Sequence, residues 1–297
     1  MSQTGQPADK TIGFVGLGNM GQPMASRLLA AGWRIVGFDL AGTEQRLPEG
    51  GTLAASVTGV AATAETVLLS LPDGAAVAVV AKEIVDSDER RAAVVIDTST
   101  IGIEAAREAA ATLATANINY VDAPVSGGVS GAKTGSLAMM IATDAALFDR
   151  HRLMLSEIAK NCFHVGDAVG QGQAMKLLNN FLSGTAMTAT AEAISFGIDQ
   201  GLDMTVMLDV LNVSSGQNTA TSDKFLRRVL TGTYDAGFAT NLITKDVKLY
   251  EQGVADSGAK SVVGAVVSEL WQRADAALPG SDFTRIYDFV RDSRRRR

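Results

Sequence analysis

At 297 residues, 46% hydrophobic and 20% charged, the chain has room for two domains with a substantial core. A net charge of −6 at pH 7 argues against nucleic acid as the main partner, because phosphate binding needs clustered Lys and Arg. The single cysteine, Cys162, excludes an intrachain disulfide, and two histidines leave almost no soft ligands for a transition metal, so no metal site is expected.

The N-terminal MSQTGQPADK is polar and lacks the apolar segment of a secretory signal, and no apolar stretch approaches the ~20 residues of a spanning helix. A soluble, cytoplasmic protein without membrane contact is the expectation. TIGFVG (11–16) reads as a strand, followed by a helix over 20–31 that Gly32 stops, and RIVGFD (34–39) as a second strand. Further strands are expected at 66–72, 92–98, 118–124, 136–142 and 161–165, with helical patterns at 74–86, 102–116 and 144–159 between them. That alternation indicates an α/β fold with a mostly parallel, doubly wound sheet. After Val165 only helical patterns follow, over 171–200, 203–213, 221–231, 241–257, 260–277 and 282–293. The boundary is placed near Asp167, giving domains 1–167 and 168–297. The first helix of the second part would be ~45 Å long at 1.5 Å per residue. The basic run Arg294 to Arg297 reads as a solvated tail.

Gly16-Leu17-Gly18-Asn19-Met20-Gly21 fits G-x-G-x-x-G, follows an apolar strand, opens a helix, and precedes an acidic residue, Asp39, at the end of the next strand. Gly16 permits the tight turn, Gly18 lets the backbone approach a pyrophosphate, and Gly21 lets the helix lie close to the strand. The helix N-terminus offers free N–H groups to phosphates. Asp39 would accept from the ribose hydroxyls and repel a 2′-phosphate. Positions 40 to 42 bring no Arg to hold one, so NAD is favoured over NADP.

VDAPVSGGVSGAKTGSLAMM (121–140) places Ser126, Gly127 and Gly128 past the carboxyl end of a strand, where ligands sit in an open α/β sheet. Successive backbone N–H groups and one hydroxyl there can bind a carboxylate. A hairpin loop without ligand is the alternative. In GQGQAMKLLNNFLSG (170–184), Lys176, Asn179 and Asn180 are spaced i, i+3, i+4 and share one helix face. A lysine held among apolar residues needs hydrogen-bond partners or a shifted pKa. To act as a base near neutrality it must come down by ~2–3 units from its usual 10.4. A hydride-carrier site, an anion loop and a proton-transfer lysine together describe an alcohol–carbonyl oxidoreductase acting on a small acid.

Four segments, GFVGLGNMGQPMA (13–25), DAPVSGG (122–128), GQGQAMKLLNN (170–180) and FATNLITKDVKL (238–249), give the chain a resemblance to the β-hydroxyacid dehydrogenase family. That resemblance implies a Rossmann-type domain joined by a long helix to an all-α C-terminal domain. It implies Lys176 as general acid/base, Asn180 and Asn179 orienting the substrate, and Ser126, Gly127 and Gly128 on its carboxylate. Leu71, Pro72, Thr100 and Lys245 would contact the coenzyme, with Asp246 a neighbour only. The expected substrate is a small hydroxy acid or its semialdehyde, 3-hydroxyisobutyrate being the type, and the expected assembly a homodimer or homotetramer. Many members carry Arg where this chain has Gln217, and Asn218, Thr219 and Lys224 are the residues that could compensate. Imine-reducing relatives replace the lysine with Asp or Tyr, and non-catalytic relatives lose it. An imine reductase and a coenzyme-binding module without turnover are therefore the rival readings, and the retained Lys176 disfavours both.

Overall fold

The computed structural model describes residues 10–295. The N-terminal nine residues and the last two arginines of the basic run lie outside that range. By its contacts the chain divides into two compact units, Met1–Lys176 and Leu177–Arg297.

The first unit is built on a nine-stranded sheet. Its strands are β1 (Thr11–Val15), β2 (Arg34–Phe38), β3 (Thr52–Leu53), β4 (Thr66–Leu69), β5 (Val94–Asp97), β6 (Asn119–Asp122), β7 (Val125–Ser126), β8 (Ala138–Ala142) and β9 (Asn161–Gly166). The order β3-β2-β1-β4-β5-β6 is parallel throughout. Beyond β6 the sheet turns antiparallel at β8, which pairs with β7 antiparallel and with β9 parallel. Its helices are α1 (Gly21–Ala30), α2 (Thr43–Arg46), α3 (Val57–Thr63), α4 (Gly74–Val85), α5 (Ile103–Ala114), α6 (Gly128–Thr134) and α7 (Ala145–Leu155).

Side-chain alternation along the strands supplies two separate cores. Ile12, Phe14, Leu68, Val94 and Ile96 face one, and Val15, Val67, Leu69 and Val95 the other. Both faces of the central strands are thus buried, which is why these strands are apolar at consecutive positions. Ser56, Asp73 and Asp144 begin α3, α4 and α7 by accepting a backbone N–H three residues on.

Every strand expected from the sequence is present. The additions are the two-residue strands β3 and β7, and the short helices α2, α3 and α6. The last of these corrects the reading of the glycine-rich stretch between the strands expected at 118–124 and 136–142 as loop: from Gly128 to Thr134 it is helical. Gly131 explains how so glycine-rich a stretch folds, because a β-carbon there would stand 2.9 Å from Leu137 Cδ2. Packing wins over propensity.

The helix α8 (Gln171–Asp199) runs through the unit boundary. The contact boundary falls within it, whereas the change in composition falls near Asp167. The second unit continues with α9 (Met204–Leu211), a π-helical stretch Ala220–Val229, α10 (Thr240–Asp256), α11 (Val262–Ala277) and α12 (Ile286–Arg295). The π-helix replaces the α-helix expected over 221–231, with Leu230 N–H donating to Phe225 carbonyl, five residues back, at 2.8 Å. The core of this unit gathers Met187, Ile194, Phe225, Ile243, Trp271 and Tyr287. Gly184 lets α8 approach Trp271, whose Nε1 would lie 3.0 Å from a β-carbon at that position. The basic tail is helical as far as Arg295, and Arg294 pairs with Asp199 at 3.2 Å instead of standing free. Among the described residues no helix is long and apolar enough to cross a membrane.

Candidate functional site

The turn after β1 is held by close backbone approaches that demand glycine. Gly16 has φ +91, and a β-carbon on it would stand 2.3 Å from the Ser70 carbonyl. On Gly21 it would stand 1.9 Å from the Gly16 carbonyl. Gly18 differs: no protein atom lies within 4 Å of such a carbon, so nothing in the chain's own packing requires glycine there. Asn19 and Met20 lead directly into the first turn of α1, whose N–H groups begin there.

Asp39, at the end of β2, is 9% exposed and reaches back to this turn. Leu17 N–H donates to its Oδ2 at 2.7 Å, and Ala41 N–H to its Oδ1 at 2.8 Å. Arg46 on α2 places Nη1 3.3 Å from Asp39 Oδ1. Positions 40 to 42 hold no cation, yet one α-helical turn of chain brings this guanidinium to the same carboxylate.

At the carboxyl ends of β4, β5 and β6 lies a network of buried polar groups. Leu71 N–H donates to Ser99 Oγ at 2.8 Å, and Ser99 N–H to Asp97 Oδ1 at 2.9 Å. Tyr120 OH donates to Asp97 Oδ2 at 2.8 Å, and burial, with Asp97 beside it, pushes that phenol well above its ordinary range. Asp122 takes Gly170 N–H at 2.9 Å and Gln173 N–H at 3.1 Å on Oδ2, and Gln173 Nε2 at 2.8 Å on Oδ1. Burial drives the Asp122 carboxyl up to about 6, against the pull of those donors. Leu71, Pro72 and Thr100, expected coenzyme neighbours, border this network. Ser126 ends β7, and Gly127 (φ 128) and Gly128 (φ 62) turn the chain into α6.

Lys176 and Asn180 on α8 are 8% and 6% exposed, while Leu178 and Leu182 are 37% and 60% exposed. The helix thus buries a lysine and an asparagine beside the fully buried Leu177 while Leu178 and Leu182 face solvent, a departure from ordinary amphipathic patterning. In the second unit, Asn180 Nδ2 donates to Asp246 Oδ2 at 2.6 Å, and Asn179 Nδ2 donates to Asn180 Oδ1 at 3.0 Å. Lys245 Nζ lies 3.5 Å from Asp246 Oδ1. Asp246, 2% exposed, is thus a direct partner of Asn180. Gln217 is exposed, Asn218 Oδ1 is committed to the N–H groups of Ala220 and Thr221, and Lys224 pairs with Asp223. Sequence reasoning missed Arg46, Asp122 and Gln173. Among the described residues no group of three or more His, Cys, Asp or Glu could hold a metal.

Residues 11–166 match the family model described as the NAD binding domain of 6-phosphogluconate dehydrogenase. Residues 170–290 match the one described as NAD-binding of NADP-dependent 3-hydroxyisobutyrate dehydrogenase. The chain is 36% identical to 3-hydroxyisobutyrate dehydrogenase of Pseudomonas aeruginosa, covering 94% of this chain and 98% of that one. It is 34% identical to 2-(hydroxymethyl)glutarate dehydrogenase of Eubacterium barkeri, covering 88% of each. The solved structure of 3-hydroxyisobutyrate dehydrogenase from Mycobacterium tuberculosis, with L-serine, superposes with a TM-score of 0.87 at 31% identity over 95% of this chain and 99% of that one. The chain belongs to the β-hydroxyacid dehydrogenase family. It is accordingly an oxidoreductase that works with a nicotinamide coenzyme, with a Rossmann-like first unit and a helical second one.

Proposed function

We propose that this protein is an NAD-dependent dehydrogenase that interconverts a small 3-hydroxy acid, of the 3-hydroxyisobutyrate kind, and its semialdehyde. Lys176 is the general acid/base. The observation that carries the reading is the burial of Lys176 and Asn180 on α8, an amine and an amide withdrawn from water on a helix that leaves Leu178 and Leu182 exposed. Burying such groups is costly, and a fold retains them for chemistry.

The turn at Gly16, Leu17, Gly18, Asn19, Met20 and Gly21 suits a dinucleotide, since a β-carbon-free surface at Gly18 gives a pyrophosphate close access to the backbone. Asp39 takes the ribose hydroxyls, and Leu71, Pro72, Thr100 and Lys245 are assigned to the coenzyme on the family pattern. When bound, the coenzyme supplies the hydride acceptor. Ser126 and the N–H groups of Gly127 and Gly128 hold the substrate carboxylate. Asn180, supported by Asn179, orients the hydroxyl. Lys176, neutral, accepts the hydroxyl proton as the carbinol hydride departs, leaving the carbonyl product and an ammonium. In reduction that ammonium returns the proton to the forming alkoxide. The assignment of 1–167 to coenzyme and 168–297 to substrate and to self-association in a homodimer or homotetramer, in the cytoplasm, completes the reading.

The test is an NAD⁺ reduction screen over 3-hydroxyisobutyrate, 3-hydroxypropionate, glycerate and threonate, with Lys176→Ala in parallel. Lys176→Ala should lower turnover by ~10²–10⁴, the usual worth of a general acid/base, with NADH affinity nearly intact. Turnover equal to the parent's would remove the central role.

A further inference from the structure

Gln173 is fully buried, and its side-chain amide spends its whole hydrogen-bonding capacity inside the first unit. Oε1 accepts the N–H groups of Ile101 at 2.9 Å and Gly102 at 3.1 Å. Nε2 donates to the Ser99 carbonyl at 3.1 Å and to Asp122 Oδ1 at 2.8 Å. Two donors and two acceptors meet four partners, so the amide has one orientation only. Flipping it would set N–H against N–H and oxygen against oxygen.

The chain is shaped to bring this about. Gly170, at φ +98, turns into α8. Gly172 lets the first helical turn settle onto the strand ends, because a β-carbon there would stand 2.7 Å from the Met140 carbonyl and 2.8 Å from that of Asp122. Gln173 then reaches both neighbouring strand ends at once. Three residues further along the same helix stands Lys176, on the next turn. Between Ser99 and Ile101 stands Thr100, a position assigned above to the coenzyme.

We propose that Gln173 is a positioning residue that fixes the 99–102 segment and the turn of α8 carrying Lys176 in one mutual register. It touches neither substrate nor coenzyme, and it acts through the residues it ties together. The proposal rests on the reading of Lys176 as the proton-transfer group and of Thr100 as a coenzyme neighbour. A buried network with every member satisfied is stiff, and stiffness at this place converts into geometry at the reacting atoms. A displacement of about 1 Å in such a constellation costs roughly 10²-fold in rate.

The experiment compares the full-length protein with Gln173→Leu, Gln173→Glu and Lys176→Ala. NADH binding is followed by fluorescence titration, kcat and KM are measured across pH, and the melting midpoint is recorded for each. Gln173→Leu should lower kcat by about 10²-fold, weaken NADH about tenfold, and displace the pH limb of kcat that Lys176→Ala abolishes. Gln173→Glu keeps the acceptor for Ile101 and Gly102, so its NADH affinity should stay close to the parent's while kcat falls. If both variants melt early yet keep the parent's kcat, pH limb and NADH affinity, Gln173 is a structural residue only and the proposal fails. Should Gln173→Leu not fold, Gln173→Glu decides alone: an unchanged kcat and pH limb overturns the proposal. Undiminished turnover in Lys176→Ala would sink the functional reading instead, and the NADH arm would still report on the 99–102 segment.

Discussion

Asn180 Nδ2–H donates a hydrogen bond to Asp246 Oδ2 at 2.6 Å, and both residues are withdrawn from solvent, at 6% and 2% exposure. The carboxylate dictates which end of the amide faces which way, because Asn179 already donates to the carbonyl end. Asp246→Ala should therefore free the Asn180 amide to rotate and lower kcat/KM by about 10²-fold. Asp246→Asn, which still offers an oxygen, should cost much less. Steady-state kinetics with the best hydroxy acid from the screen checks both, and equal losses in the two variants would refute orientation as the cause.

Arg46 and Asp39 form a pair whose balance should set the choice of coenzyme. Asp39→Ala removes the charge that opposes a 2′-phosphate and releases the guanidinium to meet one, so the ratio of kcat/KM for NADP⁺ over NAD⁺ should rise by about tenfold or more. Adding Arg46→Ala should erase that gain. A double variant that keeps the gain would mean the phosphate is held elsewhere.

The two glycines of the β1–α1 turn should separate folding from binding. Gly21→Ala drives a β-carbon into the Gly16 carbonyl and should cost roughly 2–4 kcal/mol of stability, read as the urea midpoint. Gly18→Ala meets no protein atom, and its stability should stay within about 0.5 kcal/mol of the parent's. Its NADH affinity should nevertheless fall by an order of magnitude. Parent-like affinity in Gly18→Ala would move the pyrophosphate away from this turn.

Asp122 predicts a pH dependence of stability. Its carboxyl rises from 3.8 to about 6 through burial, so between about pH 4 and 6 the folded chain holds a proton that the unfolded chain has released. Stability then falls as pH climbs through that window and levels off above it, by up to about 3 kcal/mol. Asp122→Asn cannot titrate. The gap in urea midpoint between variant and parent should therefore shift in the variant's favour from pH 4 to pH 6.5, and a constant gap would contradict the assignment.

The doubly wound core was legible because short apolar strand patterns alternate with helical ones, and the structure adds that β1, β4 and β5 are buried on both faces. The reversal at β8 was not legible, since it depends on strand pairings and on a helix made in glycine-rich sequence by the packing of Gly131 against Leu137. In the site, Lys176 stood out as a charge among leucines. Gln173 did not, because a glutamine near a helix start is ordinary until its four partners are seen. Arg46 escaped notice for a similar reason: its nearness to Asp39 comes from a short helix that the composition of 43–46 barely marks.

On the proposed mechanism, the burial of Lys176 on α8 also places survival of the fold and survival of the reaction in opposition. Lys176→Met would exchange a costly sheltered amine for a flexible apolar chain of similar length, and the protein should melt higher while its turnover falls as far as that of Lys176→Ala. A laboratory selecting this chain for heat resistance alone would be led toward discarding the side chain proposed to carry the proton.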